Sequence, residues 1–202
     1  MIQPASGERL LMGVTLVTGP VRSGKSRYVV EIAQASGRRV SYVATSIRDG
    51  DDSEWDTRLT RHVHDRPASW DAIESASLGH DALMTLFRDG AAEQCIVVDA
   101  LGTWLAARIA TNIDALESDF AAFEARMDEE AAELAQAMLE SRAQVVVVAE
   151  EVGWDIVPVA ASARLFRDVL GRLKQRLAAD ADAVFLVVCG YALDLRALGS
   201  TF

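Results

Sequence analysis

Apolar residues fall along this chain in short unbroken runs, separated by stretches with helical spacing, and the alternation repeats. Val14-Thr15-Leu16-Val17-Thr18 is apolar and β-branched, which suits a buried strand. From Lys25 to Ala35 apolar positions recur three and four apart, and Gly37 closes the pattern, so a helix is expected. Arg39 to Thr45 reads as a second strand, ending at Ser46 before a polar stretch from Arg48 to Asp56. Trp55 to Val63 has the spacing of a helix that Asp65, Arg66 and Pro67 would break, beginning an extended segment. Leu78 to Phe87 is helical in spacing, Cys95-Ile96-Val97-Val98-Asp99 is an apolar strand ending in a carboxylate, and a helix starts at Trp104 to Ile109. Asp114 to Ser141 reads as one long amphipathic helix with Phe120, Phe123, Met127, Leu134 and Met138 on its buried face. Gln144 to Ala149 is a valine strand suited to burial on both faces, Ala160 to Ala179 a further helix, and Ala183 to Gly190 the last strand.

Strands alternating with helices predict an α/β architecture, a doubly wound, mostly parallel sheet with helices on both faces. The segment after the first strand gives that sheet a chemistry. Gly19-Pro20-Val21-Arg22-Ser23-Gly24-Lys25-Ser26 matches the P-loop pattern of two glycines, Lys and Ser/Thr, and it lies between strand and helix. The expected fold is therefore P-loop NTPase-like (RecA-like). In such a loop backbone N–H groups and the helix N-terminus face phosphate oxygens, Lys25 reaches the β- and γ-phosphates, and the Ser26 hydroxyl is offered to Mg²⁺. Asp99 is a Walker-B-like metal ligand, expected on a strand adjacent to the P-loop strand. Thr45 and Ser46, at another strand's carboxyl end, are placed to face whatever the loop holds. Considered alone, each of these strand-end residues also fits plain turn chemistry.

Composition narrows the picture. The 202 residues, half of them hydrophobic, suffice for one sizeable core, so a single catalytic domain is expected over residues 12–190, with an extension at 1–11 and a tail at 191–202. A net charge of −10 with no compensating Lys/Arg cluster argues against a nucleic-acid partner. Cys95 and Cys189 each sit in an apolar run that suits a small buried thiol, so no disulfide scaffold is expected and the cytoplasm is the natural compartment. No run reaches the length of a membrane span.

Two of the three histidines, His62 and His64, lie two residues apart; if the helix from Trp55 to Val63 forms, about 200° of rotation puts them on opposite sides, and they are not expected to do one job together. The segment Arg58-Leu59-x-x-His62-x-x-x-Arg66-Pro67-x-x-Trp70 with Glu74 joins the P-loop, Ala44-Thr45-Ser46, Asp99, Glu151-Val152-Gly153 with Ile156-Val157-Pro158, and Arg164-x-Phe166-Arg167-Asp168 through Gln175-x-Leu177-Ala178. Together, over roughly residues 12 to 190, these resemble the bifunctional adenosylcobinamide kinase / adenosylcobinamide-phosphate guanylyltransferase family of cobalamin biosynthesis.

The resemblance implies two reactions. A nucleoside triphosphate, ATP or GTP, phosphorylates the aminopropanol hydroxyl of adenosylcobinamide. A histidine then attacks the α-phosphate of GTP, and adenosylcobinamide phosphate captures the guanylyl group to give GDP-adenosylcobinamide. The family's nucleophile falls on His62; its nucleotide contacts fall on Gly19, Pro20, Val21, Arg22, Ser23, Gly24, Lys25 and Ser26, on Ala44, Thr45 and Ser46, on Val63, His64, Asp65 and Arg66, and on Glu74 and Asp99. The family also implies a homotrimer. The residue types suit this chemistry: a neutral imidazole has a lone pair for phosphorus, while Lys25 and Arg66 match the charge of leaving pyrophosphate. Three positions depart from the family pattern: Pro20 and Val21 replace small residues, Pro20 removing one loop N–H, and Lys174 stands where Asn is common. A P-loop kinase of another small hydroxyl substrate and a non-catalytic nucleotide-sensing module remain the alternatives.

Overall fold

The computed structural model describes residues 13–46, 67–75 and 78–200. Among these residues seven strands form one sheet: β1 (Val14–Gly19), β2 (Arg39–Ala44), β3 (Asp71–Glu74), β4 (Gln94–Asp99), β5 (Gln144–Glu150), β6 (Ala183–Val188) and β7 (Tyr191–Asp194). They lie in the order β3-β2-β4-β5-β1-β6-β7, all parallel except β7, which runs antiparallel to β6. The three central strands alternate between two cores. Val145, Val147 and Ala149 of β5 enter one cluster with Ile96 and Val98, whereas Val146 and Val148 enter the other with Cys95 and Val97. Burial on both faces is why these strands read as unbroken apolar runs.

Among the described residues, α1 (Lys25–Ala35) covers one face. The other face is covered by α2 (His80–Arg88), α3 (Leu101–Ala110), α4 (Ile113–Ser118), α5 (Phe120–Leu139) and α6 (Ala161–Asp180). Arg172 of α6 ties α5 down through Asp128 at 2.8 Å and Glu124 at 2.9 Å.

Four expectations change. The stretch from Asp114 to Ser141 is two helices, because Asp119 turns extended and its carboxylate accepts from Ala122 N at 3.0 Å, capping α5. That break leaves Phe120, at the first position of α5, exposed rather than in the core. Asp99 ends β4, which is separated from β1 by β5, so the carboxylate is two strands from the P-loop strand and not adjacent to it. Finally, Cys95 is buried and its thiol pushed up to about 11 by burial, but Cys189 is exposed, in the tight turn joining β6 to β7. The chain beyond Gly190 joins the sheet as β7 and continues into α7 (Leu195–Leu198), packed on β6.

Candidate active site

The carboxyl ends of β1 and β5 meet at the loop between β1 and α1. Gly19 has φ 154°, and a Cβ there would lie 2.2 Å from the Val187 carbonyl oxygen, so only glycine lets β6 pass this close. Gly24, at φ 103°, turns the chain into α1. The loop is braced from within by Ser23 N donating to Pro20 O at 3.3 Å, and from outside by Gly190 N donating to Ser23 O at 2.9 Å. Lys25 is buried and donates from Nζ to the Pro20 carbonyl at 2.9 Å. Pro20, which has no N–H to offer phosphate, thus supplies the acceptor that parks the lysine. Val21 and Arg22 stand exposed at the loop's tip, while the buried Ser23 Oγ has no partner.

Around this loop gather three carboxylates. Burial lowers the Lys25 pKa, opposed by the negative charges of Glu150, Asp99 and Glu151 in that order. Burial raises the Glu150 pKa against the hydrogen bonds that its carboxylate accepts, one of them from Gly102 N at 2.9 Å near the start of α3. A Cβ at Gly102 would sit 2.3 Å from that carboxylate oxygen, so a larger residue there would push the Glu150 side chain aside. Asp99 accepts a hydrogen bond from the Tyr42 hydroxyl. Glu151 N donates to Gly19 O at 2.9 Å, and its carboxylate pairs with Lys174 Nζ at 2.9 Å and lies 3.4 Å from Thr18 Oγ1. Lys174 also donates to Glu150 O at 3.3 Å, so the departure from asparagine has a structural role: it clamps the end of β5.

Glu150, Glu151 and Lys174 were not among the residues expected in the site. The sequence does carry a signal, two carboxylates ending an apolar strand, but only the strand order puts them beside Gly19. Of the expected residues, Gly19 to Ser26 form the cradle and Asp99 contributes to its field. Ala44 is buried, and Thr45 turns its hydroxyl inward to bond both the N–H and the carbonyl of Ala100, tying β2 to the start of α3. Ser46 is half-buried beside it. Glu74 ends edge strand β3, in register with Ala44 and three strands removed from β1 by β2, β4 and β5. His62, Val63, His64, Asp65 and Arg66 lie outside the described residues. Among the described residues no three His, Cys, Asp or Glu side chains converge as a metal cage.

The site geometry is that of a nucleotide-phosphate cradle, and relatives carry it further. Residues 15–195 match the family model described as cobinamide kinase / cobinamide phosphate guanyltransferase. The chain is 39% identical over 185 residues, 90% of this chain and 98% of the relative, to the bifunctional adenosylcobalamin biosynthesis protein CobU of Salmonella typhimurium. It is 34% identical to the protein of the same name from Escherichia coli and 31% identical to the bifunctional adenosylcobalamin biosynthesis protein CobP of Pseudomonas aeruginosa, in each case over 90% of this chain and at least 96% of the relative. Among solved structures it resembles an ATPase of a bacterial type III secretion system, with a TM-score of 0.54 and 10% identity, covering 99% of this chain and 63% of that one. It also resembles the ATP synthase subunit NeqB of Nanoarcheaum equitans, with a TM-score of 0.50 and 10% identity, covering 100% of this chain and 57% of that one. These two likenesses bear on the fold alone, which is that of P-loop ATPases; the family model and the curated relatives decide the rest, and this chain belongs to the cobinamide kinase / cobinamide phosphate guanyltransferase family.

Proposed function

We propose that this chain phosphorylates adenosylcobinamide with a nucleoside triphosphate and then transfers GMP from GTP, through a guanylyl-histidine, to give GDP-adenosylcobinamide. The observation that carries this reading is the cradle between β1 and α1, where a buried lysine is held by its own loop among three carboxylates. A phosphate arriving there replaces the Pro20 carbonyl as the partner of Lys25 and relieves a desolvated cation. In the kinase step the loop's N–H groups and Lys25 hold the triphosphate while the substrate hydroxyl attacks the γ-phosphorus in line; the O–P bond forms as the bond to the departing nucleoside diphosphate breaks, and the hydroxyl proton passes to solvent.

In the transfer step we assign the nucleophile to His62 on the family's spacing. Its neutral imidazole nitrogen bonds to the α-phosphorus of GTP as pyrophosphate leaves. A phosphate oxygen of adenosylcobinamide phosphate then attacks the same phosphorus and the N–P bond breaks. Arg66 and Lys25 take up the charge of the pyrophosphate. The family's further nucleotide contacts are assigned to Ala44, Thr45, Ser46, Val63, His64, Asp65, Arg66 and Glu74. The oxygen donors Ser26 and Asp99 fit Mg²⁺, which when bound neutralises charge on the phosphate oxygens.

The protein is expected to work as a homotrimer in the cytoplasm; among the described residues no helix is long and apolar enough to cross a membrane. Incubation with Mg²⁺ and GTP labelled at the α-phosphate tests the transfer step. An acid-labile, alkali-stable guanylyl adduct on His62, lost in His62→Ala while kinase activity persists, is the expected result. Intact nucleotide binding with no adduct would reduce the reading to a kinase.

A further inference from the structure

The loop from β5 to α6 presents apolar side chains to water on a backbone that is firmly held. Trp154 is 72%, Ile156 87%, Val157 70% and Val159 97% exposed. Such residues in a slack loop would turn inward, but here the following helix fixes their carbonyls. Arg167 donates to Ile156 O at 2.8 Å, Gly153 O at 3.0 Å and Asp155 O at 3.2 Å, while Arg164 donates to Val159 O at 2.6 Å and Pro158 O at 3.0 Å. Two guanidinium groups thus hold five carbonyls, so the side chains point out by construction. A hollow of about 140 Å³ opens beside them, lined by Val157, Pro158, Arg164, Arg167 and Asp168.

The loop's first residue is Glu151, whose N–H is bonded to Gly19 of the phosphate cradle. We infer that this apolar shelf seats the corrin ring of the substrate. The inference rests on the activity proposed above. A cobinamide reacts only at the hydroxyl ending its aminopropanol arm, and its macrocycle is far too broad to follow that hydroxyl into a loop built around phosphate. The ring therefore rests on surface continuous with the cradle, and it has a methyl-bearing rim with primary amide arms. The shelf meets the rim with Trp154, Ile156 and Val159, and the hollow offers the Asp168 carboxylate and guanidinium N–H groups to the amides. A second copy of this chain seated on the same side chains would instead obstruct that approach.

The test compares the wild type with Trp154→Ala and with the double variant Ile156→Ser/Val159→Ser, which replace exposed side chains and leave the arginine contacts intact. Binding of dicyanocobinamide is followed by the corrinoid's absorbance and by tryptophan quenching. KM and kcat are measured for adenosylcobinamide, the guanylyl adduct is measured with GTP alone, and mass is measured by light scattering. The shelf predicts roughly tenfold weaker dicyanocobinamide binding and a KM raised by a similar factor, with kcat, adduct yield and mass unchanged, in line with the loss of a few buried apolar contacts. Unchanged binding and KM in both variants overturn the inference while leaving the activity standing. A fall in oligomeric mass assigns the surface to a second copy and also overturns it. A wild type that neither forms the adduct nor phosphorylates the corrinoid removes the proposed activity, and the shelf with it.

Discussion

Two loops leave the carboxyl ends of neighbouring parallel strands, and they are held in opposite ways. The loop after β1 is fixed by its own residues: glycine at φ 154° where β6 crowds it, glycine at φ 103° at the helix start, and a lysine folded back on the Pro20 carbonyl. It faces its ligand with main chain and one buried charge. The loop after β5 has no such internal logic and borrows its shape from Arg164 and Arg167 of the next helix, leaving side chains to face outward. A loop that binds through its backbone must write its constraints into its own sequence, whereas a loop that binds through its side chains can be held from elsewhere.

That contrast sets the order of expected effects. Removing the charge from the self-held loop breaks binding most: Lys25→Ala is expected to weaken GTP and ATP binding roughly 100-fold, the scale of one lost charge-assisted contact to phosphate. Isothermal titration with either nucleotide checks this, and a loss under threefold would mean that the loop does not hold the triphosphate. Stability should not fall with affinity, because the substitution removes a cation that burial already disfavours in the free protein.

The same contrast explains what could be read from the chain. Gly19 to Ser26 announce themselves because the pattern of residues is the mechanism. The central strands were legible because burial on both faces makes them apolar throughout, and β2, β4, β5, β1 and β6 lie where the apolar runs put them. Edge strand β7 was not, since Tyr191 to Asp194 are few and half-exposed and depend on a turn at Cys189 and Gly190 to pair with β6. The break at Asp119 hid inside an Ala- and Glu-rich stretch whose helical spacing continues across it. Strand order is a tertiary fact. Local pattern marks Asp99 and Glu150 alike as strand-end carboxylates, and only the insertion of β5 between β4 and β1 makes Glu150 the nearer neighbour of the phosphate loop. Arg164 and Arg167 fell inside a recognised motif, but their task of holding carbonyls in the preceding loop needs the folded chain.

Breaking the borrowed loop should have a middling effect. Arg167→Ala removes three hydrogen bonds to carbonyls that water can partly replace, so global stability should fall by only about 1 kcal/mol. The local effect is larger: proteolytic nicking between Gly153 and Val159 under native conditions should speed up about tenfold while α1 stays as resistant as in the wild type. Equal loss of resistance in both places would show that the arginine supports the whole domain and not the loop. Arg167→Lys should recover little, since a single ammonium cannot span three carbonyls as the planar fork does.

The smallest effect lies where the two loops meet, at Glu150. Burial raises its pKa in the folded protein above the ordinary glutamate value of 4.5, more than its hydrogen bonds from Gly102 and its own backbone and the Lys25 charge can lower it. The folded form therefore holds its proton to higher pH than the unfolded form does. As pH climbs from about 4.5 through the folded pKa, the unfolded chain loses the proton first and stability declines. Glu150→Gln keeps an oxygen for the Gly102 N–H and abolishes the titration. The variant should gain on the wild type between pH 4 and pH 7 by about 2–4 °C in Tm, which for a chain of this size corresponds to about 1 kcal/mol. Saturating nucleotide should enlarge the gain, because phosphate draws away the Lys25 charge that lowers the Glu150 pKa and adds negative charge beside the carboxylate. A Tm difference that stays constant across that pH range would mean that Glu150 ionises in the folded state as freely as in water, and that the cradle holds its charges at no cost to the fold.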